Sequence, residues 1–362
     1  MFKRTLILII LLITSPFVSA NNQDEPPISL LDMTQEERAA MEAEIEKKIA
    51  ECEDTLLETG LISIEDATDI KRYCSIRVRT KGKKYGRFAK RIINERMTEV
   101  NPFVITPYKQ SYILPFTLSD NFNTTPYLFT EDLGGEFESF ANGMEDYEAK
   151  YQVSFKVPLT NPGLLLPGDG IYFGMTIQAW WQVYSDKISR PFRETNYQPE
   201  LFYMVPMPFQ LNEGNMLLSL HFEHQSNGQH QLLSRSWNRI LAAITYEKND
   251  YVVSLKPWYR LSEEDKEDPL NPLGDDNPDI EDYLGHYELT GAYAFSDDLK
   301  LSYLMRKNWK TGKGALELNV TYPLWGRLIG MVQVFTGYGE SLIDYNHKQT
   351  KVGVGIALND VF

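Results

Sequence analysis

From Asn101 to the last residue, apolar and polar side chains alternate with a period of two. That is the mark of strands with one apolar and one polar face. Tyr147, Ala149, Tyr151, Val153, Phe155 and Val157 interleave with Glu148, Lys150, Gln152, Ser154 and Lys156. Ile171, Phe173, Met175, Ile177, Ala179, Trp181 and Val183 interleave with Tyr172, Gly174, Thr176, Gln178 and Gln182. Similar segments begin near Tyr108, Arg193, Met216, Ser234, Tyr251, Tyr283, Leu301, Ala315, Leu328 and Lys351. That makes about twelve strands, each long enough to cross a bilayer. Some connections are tight (Lys248-Asn249-Asp250, Ser296-Asp297-Asp298, Trp325-Gly326-Arg327), whereas 119–146 and 262–282 are long and polar. Short turns on one rim and long loops on the other, with Phe362 ending a closing strand, predict an all-β fold. The expected architecture is an antiparallel transmembrane β-barrel of about twelve strands. A soluble β-sandwich is excluded, because polar inner faces on so many strands leave no dry core.

The pattern upstream is different. Thr34-Gln35-Glu36-Glu37 reads as a capping box, opening a helix that Gly60 would stop, and Ser63-Ile64-Glu65-Asp66 starts a second. Cys52 and Cys74, the two cysteines, fall one in each, and a disulfide between them is the expectation in an oxidising compartment. A basic run follows through Lys71, Arg72, Arg77, Arg79, Lys81, Lys83, Lys84, Arg87, Lys90 and Arg91. It reads either as a surface drawn to anionic lipid or to the acidic first helix, or as a solvated linker. Before all of this, Lys3 and Arg4 precede an apolar run, Leu6 to Ile13, and Val18-Ser19-Ala20 resembles a cleavage site. The expected division is a signal peptide at 1–20, a helical, charged periplasmic extension at 21–100, and a barrel at 101–362.

Composition narrows the classes. A mean hydropathy of -0.35 excludes a bundle of membrane helices, and a formal charge of -14 argues against a nucleic-acid partner. The 21 Tyr and 18 Phe suit the aromatic girdles of a barrel.

Candidate chemistry sits in one hairpin. His224 and Ser226 are two apart, so a strand puts them on one face, in phase with Met216, Leu218, Leu220 and Phe222. Asn238, in phase with Ile240, Ala242 and Ile244, opens the next strand and returns beside them. A nucleophile, a base and a residue to orient the base follow the logic of a Ser-His-Asp triad, with Asn third. All three lie on the apolar face, which in a membrane barrel is the outer wall. With periplasmic termini, the fifth strand runs outward and sets the site near the outer leaflet, where a lipid ester arrives by lateral diffusion. His221, His230, His286 and His347 read as lumen, loop or girdle residues. Glu263, Glu264, Asp265, Asp275, Asp276 and Asp279 could together hold a cation such as calcium, but read rather as a solvated loop. Arg235 and Arg239 face inward, toward luminal acids such as Glu223.

The stretch His224-Gln225-Ser226-Asn227-Gly228 with Ser234-Arg235-Ser236-Trp237-Asn238-Arg239 resembles the signature of the bacterial outer membrane phospholipase A family. So do 191–197, Lys256-Pro257-Trp258-Tyr259, Asp276-Asn277-Pro278-Asp279-Ile280 and 337–346. The resemblance runs from about Asn101 to Phe362. It implies a calcium-dependent acyl hydrolase of phospholipids and lysophospholipids, active as a homodimer, with Ser226 as nucleophile, His224 as base and Asn238 orienting the imidazole. It also implies an oxyanion hole from the Gly228 N–H and a Ca2+ site of the Ser234 hydroxyl, the Gln229 carbonyl and a Ser189 carbonyl from a partner subunit. The position expected for an interface glutamine reads Ile177, with Gln178 beside it. Two other readings stay open: a porin-like channel, and a deacylase acting on lipopolysaccharide.

Overall fold

The computed structural model describes residues 34–58, 67–80, 85–98, 104–128 and 136–362, apart from 162, 167, 208, 230, 267, 269, 270 and 272. The signal-peptide reading, Gly60, Ser63–Asp66 and His230 lie outside the described residues.

Alternation becomes strand in twelve segments, most of them where it was read. After a two-residue stub, β1 (Thr106–Pro107), come β2 (Tyr112–Ser119), β3 (Tyr147–Pro158), β4 (Gly170–Trp181), β5 (Phe192–Pro206), β6 (Asn215–Ser226) and β7 (Ser236–Lys248). Then follow β8 (Tyr251–Leu261), β9 (Tyr287–Ala294), β10 (Lys300–Lys307), β11 (Gly314–Trp325), β12 (Leu328–Tyr338) and β13 (Lys348–Ala357). From β2 to β13 each strand pairs antiparallel with the next, and β13 returns to β2, closing twelve strands into a barrel. Closure leaves no unpaired sheet edge in the hydrocarbon layer.

The side chains sort as the two solvents demand. On β6, Leu220 and Phe222 are 55% and 49% exposed, whereas His221 and Glu223 between them are 4% and 1% exposed. The wall is therefore apolar and the lumen carries the charge. Glu148 meets Arg193 and Lys351, Glu340 meets Lys150 and Lys351, and Asp344 meets Arg193 at 3.1 Å, so these buried charges are paired. Lys150 on β3 also donates to Gln333 on β12, which donates to Asn319 on β11. These bonds run along the luminal face of nearby strands and line it with polar contacts.

One rim is turned tightly. Lys248 pairs directly with Tyr251 and Trp325 with Leu328, with Asn249 at φ 53° and Gly326 at φ 59° supplying the left-handed residues such turns need. The opposite rim carries α4 (Thr125–Leu128), α5 (Glu136–Gly143) and α6 (Ile280–Leu284). The strand expected from Tyr283 starts instead at Tyr287. Ile280 and Leu284, four apart, are buried in a cluster with Trp237, Leu241 and Trp258, which is helical spacing.

Upstream, α1 (Gln35–Glu58) packs on α2 (Ala67–Thr80) through Ile49, Ile70 and Cys74, and Cys52 and Cys74 form the expected disulfide. Where the structure describes it the basic run is helical, and Lys81, Lys83 and Lys84 lie outside the described residues. Lys71 and Arg77 lie on α2, and Arg87, Lys90 and Arg91 on α3 (Arg87–Thr98). That third helix, not foreseen, crosses the short-turn rim. At one end Arg87 binds Asp250 and Asp297, and Gly86 N–H donates to Glu247. Mid-helix, Arg91 donates to the carbonyls of Asp360 and Val361. At the other end Glu95 takes Lys156, and Arg96 reaches the Gly168 carbonyl.

Candidate active site on the outer wall

The site is set by the β6–β7 register. His224 is the direct cross-strand partner of Asn238, and Ser226 of Ser236. On the other side, β5 pairs Tyr197 with Ser226 and Glu200 with Glu223, and the stretch between, which contains Pro199, is unpaired because proline offers no N–H. The luminal faces of the same strands form a rigid frame behind the site. Arg239 binds Glu223 and lies 3.8 Å from the Trp237 ring centroid and 4.9 Å from that of Trp258, while Trp237 Nε1 donates to Gln225 at 2.9 Å.

On the outer face, His224 Nδ1 lies 2.9 Å from Asn238 Oδ1, the contact expected between base and orienting residue. Ser226 shares that face two residues on, but among the described residues its hydroxyl makes no hydrogen bond with the imidazole. Asn238 Nδ2 in turn donates to Glu263 Oε1 at 3.1 Å.

The loop joining β6 to β7 is clasped by buried Asn227. Its N–H donates to the Arg235 carbonyl, its Nδ2 to Leu233 O at 2.8 Å, and its Oδ1 accepts the N–H groups of Arg235 and Gln229. This clasp turns the chain at Gly228, whose φ of 63° suits glycine, and among the described residues the Gly228 N–H meets no acceptor. Arg235 does not reach Glu223 as expected. Standing in the loop rather than the strand, it donates to the Leu232 and Ser234 carbonyls and lies over Tyr345. Burial, and then the Asp279 carboxylate accepting its O–H at 2.7 Å, push the Tyr345 phenol up, which keeps it a donor and ties two long loops together.

Of the residues singled out as metal ligands, Ser234 and Gln229 lie in this one loop, and Ser189 is exposed in the β4–β5 loop. The Ser234 hydroxyl donates to Asp276 Oδ2 at 2.6 Å, and Lys266 binds the other oxygen of that carboxylate. Asp276 and Glu263, read from sequence as solvated, are thus functional candidates. The Asp276-Asn277 motif was a signal for the first, since Asn277 Oδ1 also accepts the Ser236 N–H at 3.0 Å. Glu263 was signalled only by its phase, two residues beyond Leu261, which pairs with Asn238. Ile177 lies on the outer face and Gln178 on the luminal one, so Gln178 does not replace an outward glutamine. His221 is luminal, between Glu200 and Ser219, while His286 and His347 bind Glu281 and the Asn121 carbonyl in the loops.

The family model for phospholipase A1 matches residues 88–358, three quarters of the chain and all of the barrel strands. The chain belongs to the phospholipase A1 family. The enzyme from Klebsiella pneumoniae is 38% identical over 269 residues, spanning 72% of this chain and 85% of that relative. The one from Escherichia coli K12 is 36% identical over 276 residues, spanning 75% and 87%. Among solved structures, outer membrane phospholipase A from Escherichia coli superposes with a TM-score of 0.63 at 36% identity, covering 72% of this chain and 100% of that one. The Salmonella typhi outer membrane phospholipase, solved as a dimer with bound calcium, gives 0.64 at 35% identity, covering 72% and 95%. This phospholipase is therefore an outer-membrane barrel, and the short-turn rim that α3 crosses is its periplasmic side.

Proposed function

We propose that this chain is a calcium-dependent outer-membrane phospholipase that hydrolyses the acyl esters of phospholipids and lysophospholipids at both A1- and A2-type bonds. The observation that carries the reading is the 2.9 Å contact between His224 Nδ1 and Asn238 Oδ1, on the lipid-facing wall and beside Ser226. Ser226 Oγ attacks the ester carbonyl carbon and passes its proton to His224 Nε2. The tetrahedral oxyanion collapses, the alkoxide leaves as the lyso product, and it takes that proton from the imidazolium. Water, deprotonated by the same nitrogen, then releases the fatty acid and frees Ser226. Asn238 holds the ring by accepting its N–H without bringing a carboxylate to the lipid boundary, where an unpaired charge is costly. Among the described residues the Gly228 N–H faces no competing acceptor, which leaves it available to the oxyanion.

The donors around Ser234 suit a hard cation: a hydroxyl, the Gln229 carbonyl and, beside them, the Asp276 carboxylate. A carbonyl at Ser189 from the partner subunit would complete the set in a homodimer. Held by these residues, calcium would supply positive charge to offset that of the oxyanion. α3, held across the short-turn rim at both ends, speaks against an open porin-like channel.

The test is release of fatty acid from phospholipid–detergent micelles by the folded protein, with calcium and then with chelator, beside Ser226→Ala. Calcium-dependent release that vanishes in the variant is expected. No release from a folded, dimeric barrel would sink the reading. Release from lipopolysaccharide alone would change the substrate and keep the chemistry.

A further inference from the structure

The loop leaving β8 brings a carboxylate to Asn238 from the side away from His224. Leu261 is the cross-strand partner of Asn238, and Glu263 continues its outward phase two residues on. There Glu263 Oε1 accepts from Asn238 Nδ2 at 3.1 Å, while Asn238 Oδ1 lies 2.9 Å from His224 Nδ1. The loop that delivers Glu263 is tied down on both flanks. Arg260 makes two 2.7 Å bonds to Asp275, Asp275 N–H donates to the Glu264 carbonyl at 2.7 Å, and Lys266 binds Asp276. Among the described residues Glu263 makes no ion pair, and its hydrogen bond goes to Asn238.

An ionised carboxylate only accepts hydrogen bonds. Asn238 must therefore offer Glu263 its NH2 group and turn its oxygen to the imidazole. An amide oxygen, in turn, only accepts, so His224 Nδ1 carries the proton and the lone pair is left on Nε2. That is the nitrogen that has to take the proton of Ser226. With the amide rotated, NH2 would face Nδ1, select the other tautomer and leave Nε2 protonated, unable to act as the base.

We propose that Glu263 is a positioning residue, fixing the amide of Asn238 and through it the tautomer of His224, as a fourth member of the Ser226–His224–Asn238 row. This rests on the triad of the proposed function.

The test is steady-state kinetics on micellar phospholipid for Glu263→Gln, alone and combined with Asn238→Asp, each checked for folding by heat-modifiable gel mobility. A glutamine both donates and accepts, so it no longer dictates the amide orientation. Alone it should lower kcat by about 3–30-fold with KM unchanged. Combined with Asn238→Asp it should raise kcat above that of Asn238→Asp alone, because there Glu263 opposes a second carboxylate. A residue that merely anchors the loop would lower kcat in both backgrounds. Unchanged kcat in Glu263→Gln, a fall in both backgrounds, or loss of folding in Glu263→Gln would each overturn the proposal. An active Ser226→Ala, assayed in parallel, would instead overturn the triad itself, so the two failures are told apart.

Discussion

Asn238 touches the chemistry only through His224, and that limits what its loss can do. Removing one hydrogen bond that strengthens as the ring becomes charged should lower kcat by on the order of 10–100-fold for Asn238→Ala. Ser226→Ala, which removes the nucleophile, should leave almost nothing. Fatty-acid release by the two variants checks this, and equal, complete losses would mean that Asn238 does more than orient the base. Lys266 works in the other direction. Its ammonium sits on the Asp276 carboxylate that the Ser234 hydroxyl also touches, so it competes with any cation that needs those oxygens. Lys266→Met should lower the calcium concentration at half-saturation several-fold, measured by direct calcium binding to the folded protein as well as by activity. An unchanged binding curve would remove Lys266 from the account. His224, Ser226 and Asn238 are legible in the sequence because they obey the period of two on a hairpin. Glu263 and Asp276 left only a faint mark, a phase and a motif, and Lys266 none. They follow the end of β8, where long-range contacts decide which acids are drawn in.

At the level of elements, the β6–β7 pair is held in register from behind. Glu223 is buried on the luminal face and binds both Arg239 and Gln198, and Arg239 is wedged between Trp237 and Trp258. Glu223→Ala strands a buried guanidinium and should destabilise the barrel by about 3–5 kcal/mol. Denaturant unfolding followed by gel mobility measures it, and a loss below about 1 kcal/mol would show that the aromatic stacking alone holds the register. Strand positions were readable because each faces lipid on one side and polar contacts on the other. Tyr283 misled the reading because α6 buries Ile280 and Leu284 at a spacing of four, and a five-residue helix is too short to display its period. α3 was hidden for a related cause. Its basic residues look solvated in sequence, and the carboxylate partners of Arg87 and the C-terminal carbonyls that Arg91 binds lie more than a hundred residues away on the rim.

Over the whole molecule, α3 joins parts of the rim that stand on opposite sides of the ring, from the β7–β8 and β9–β10 turns to the β3–β4 loop. Its first turn is fixed by charge. Arg87 donates to Asp297 at 2.6 Å and to Asp250 at 2.7 Å, and the bond from Arg87, reinforced by its charge, holds the Asp297 carboxyl below the usual range. A group whose folded pKa is depressed contributes stability above its unfolded value, about 3.9 for Asp, and loses it as pH falls through the folded value. The grip of α3 on the rim should therefore be full at neutral pH and loosen in acid, below about pH 4. Hydrogen–deuterium exchange, corrected for intrinsic rates, would read this as protection lost in the first turn of α3 before the strands are affected. Asp297→Asn should begin less protected at neutral pH and lose less on acidification, since it has no carboxylate to protonate. The rest of the helix should stay docked through Arg91, whose partners at Asp360 and Val361 are carbonyls that do not titrate. Identical acid profiles for Asp297→Asn and the parent would show that the Asp297 carboxylate is not what loosens the helix.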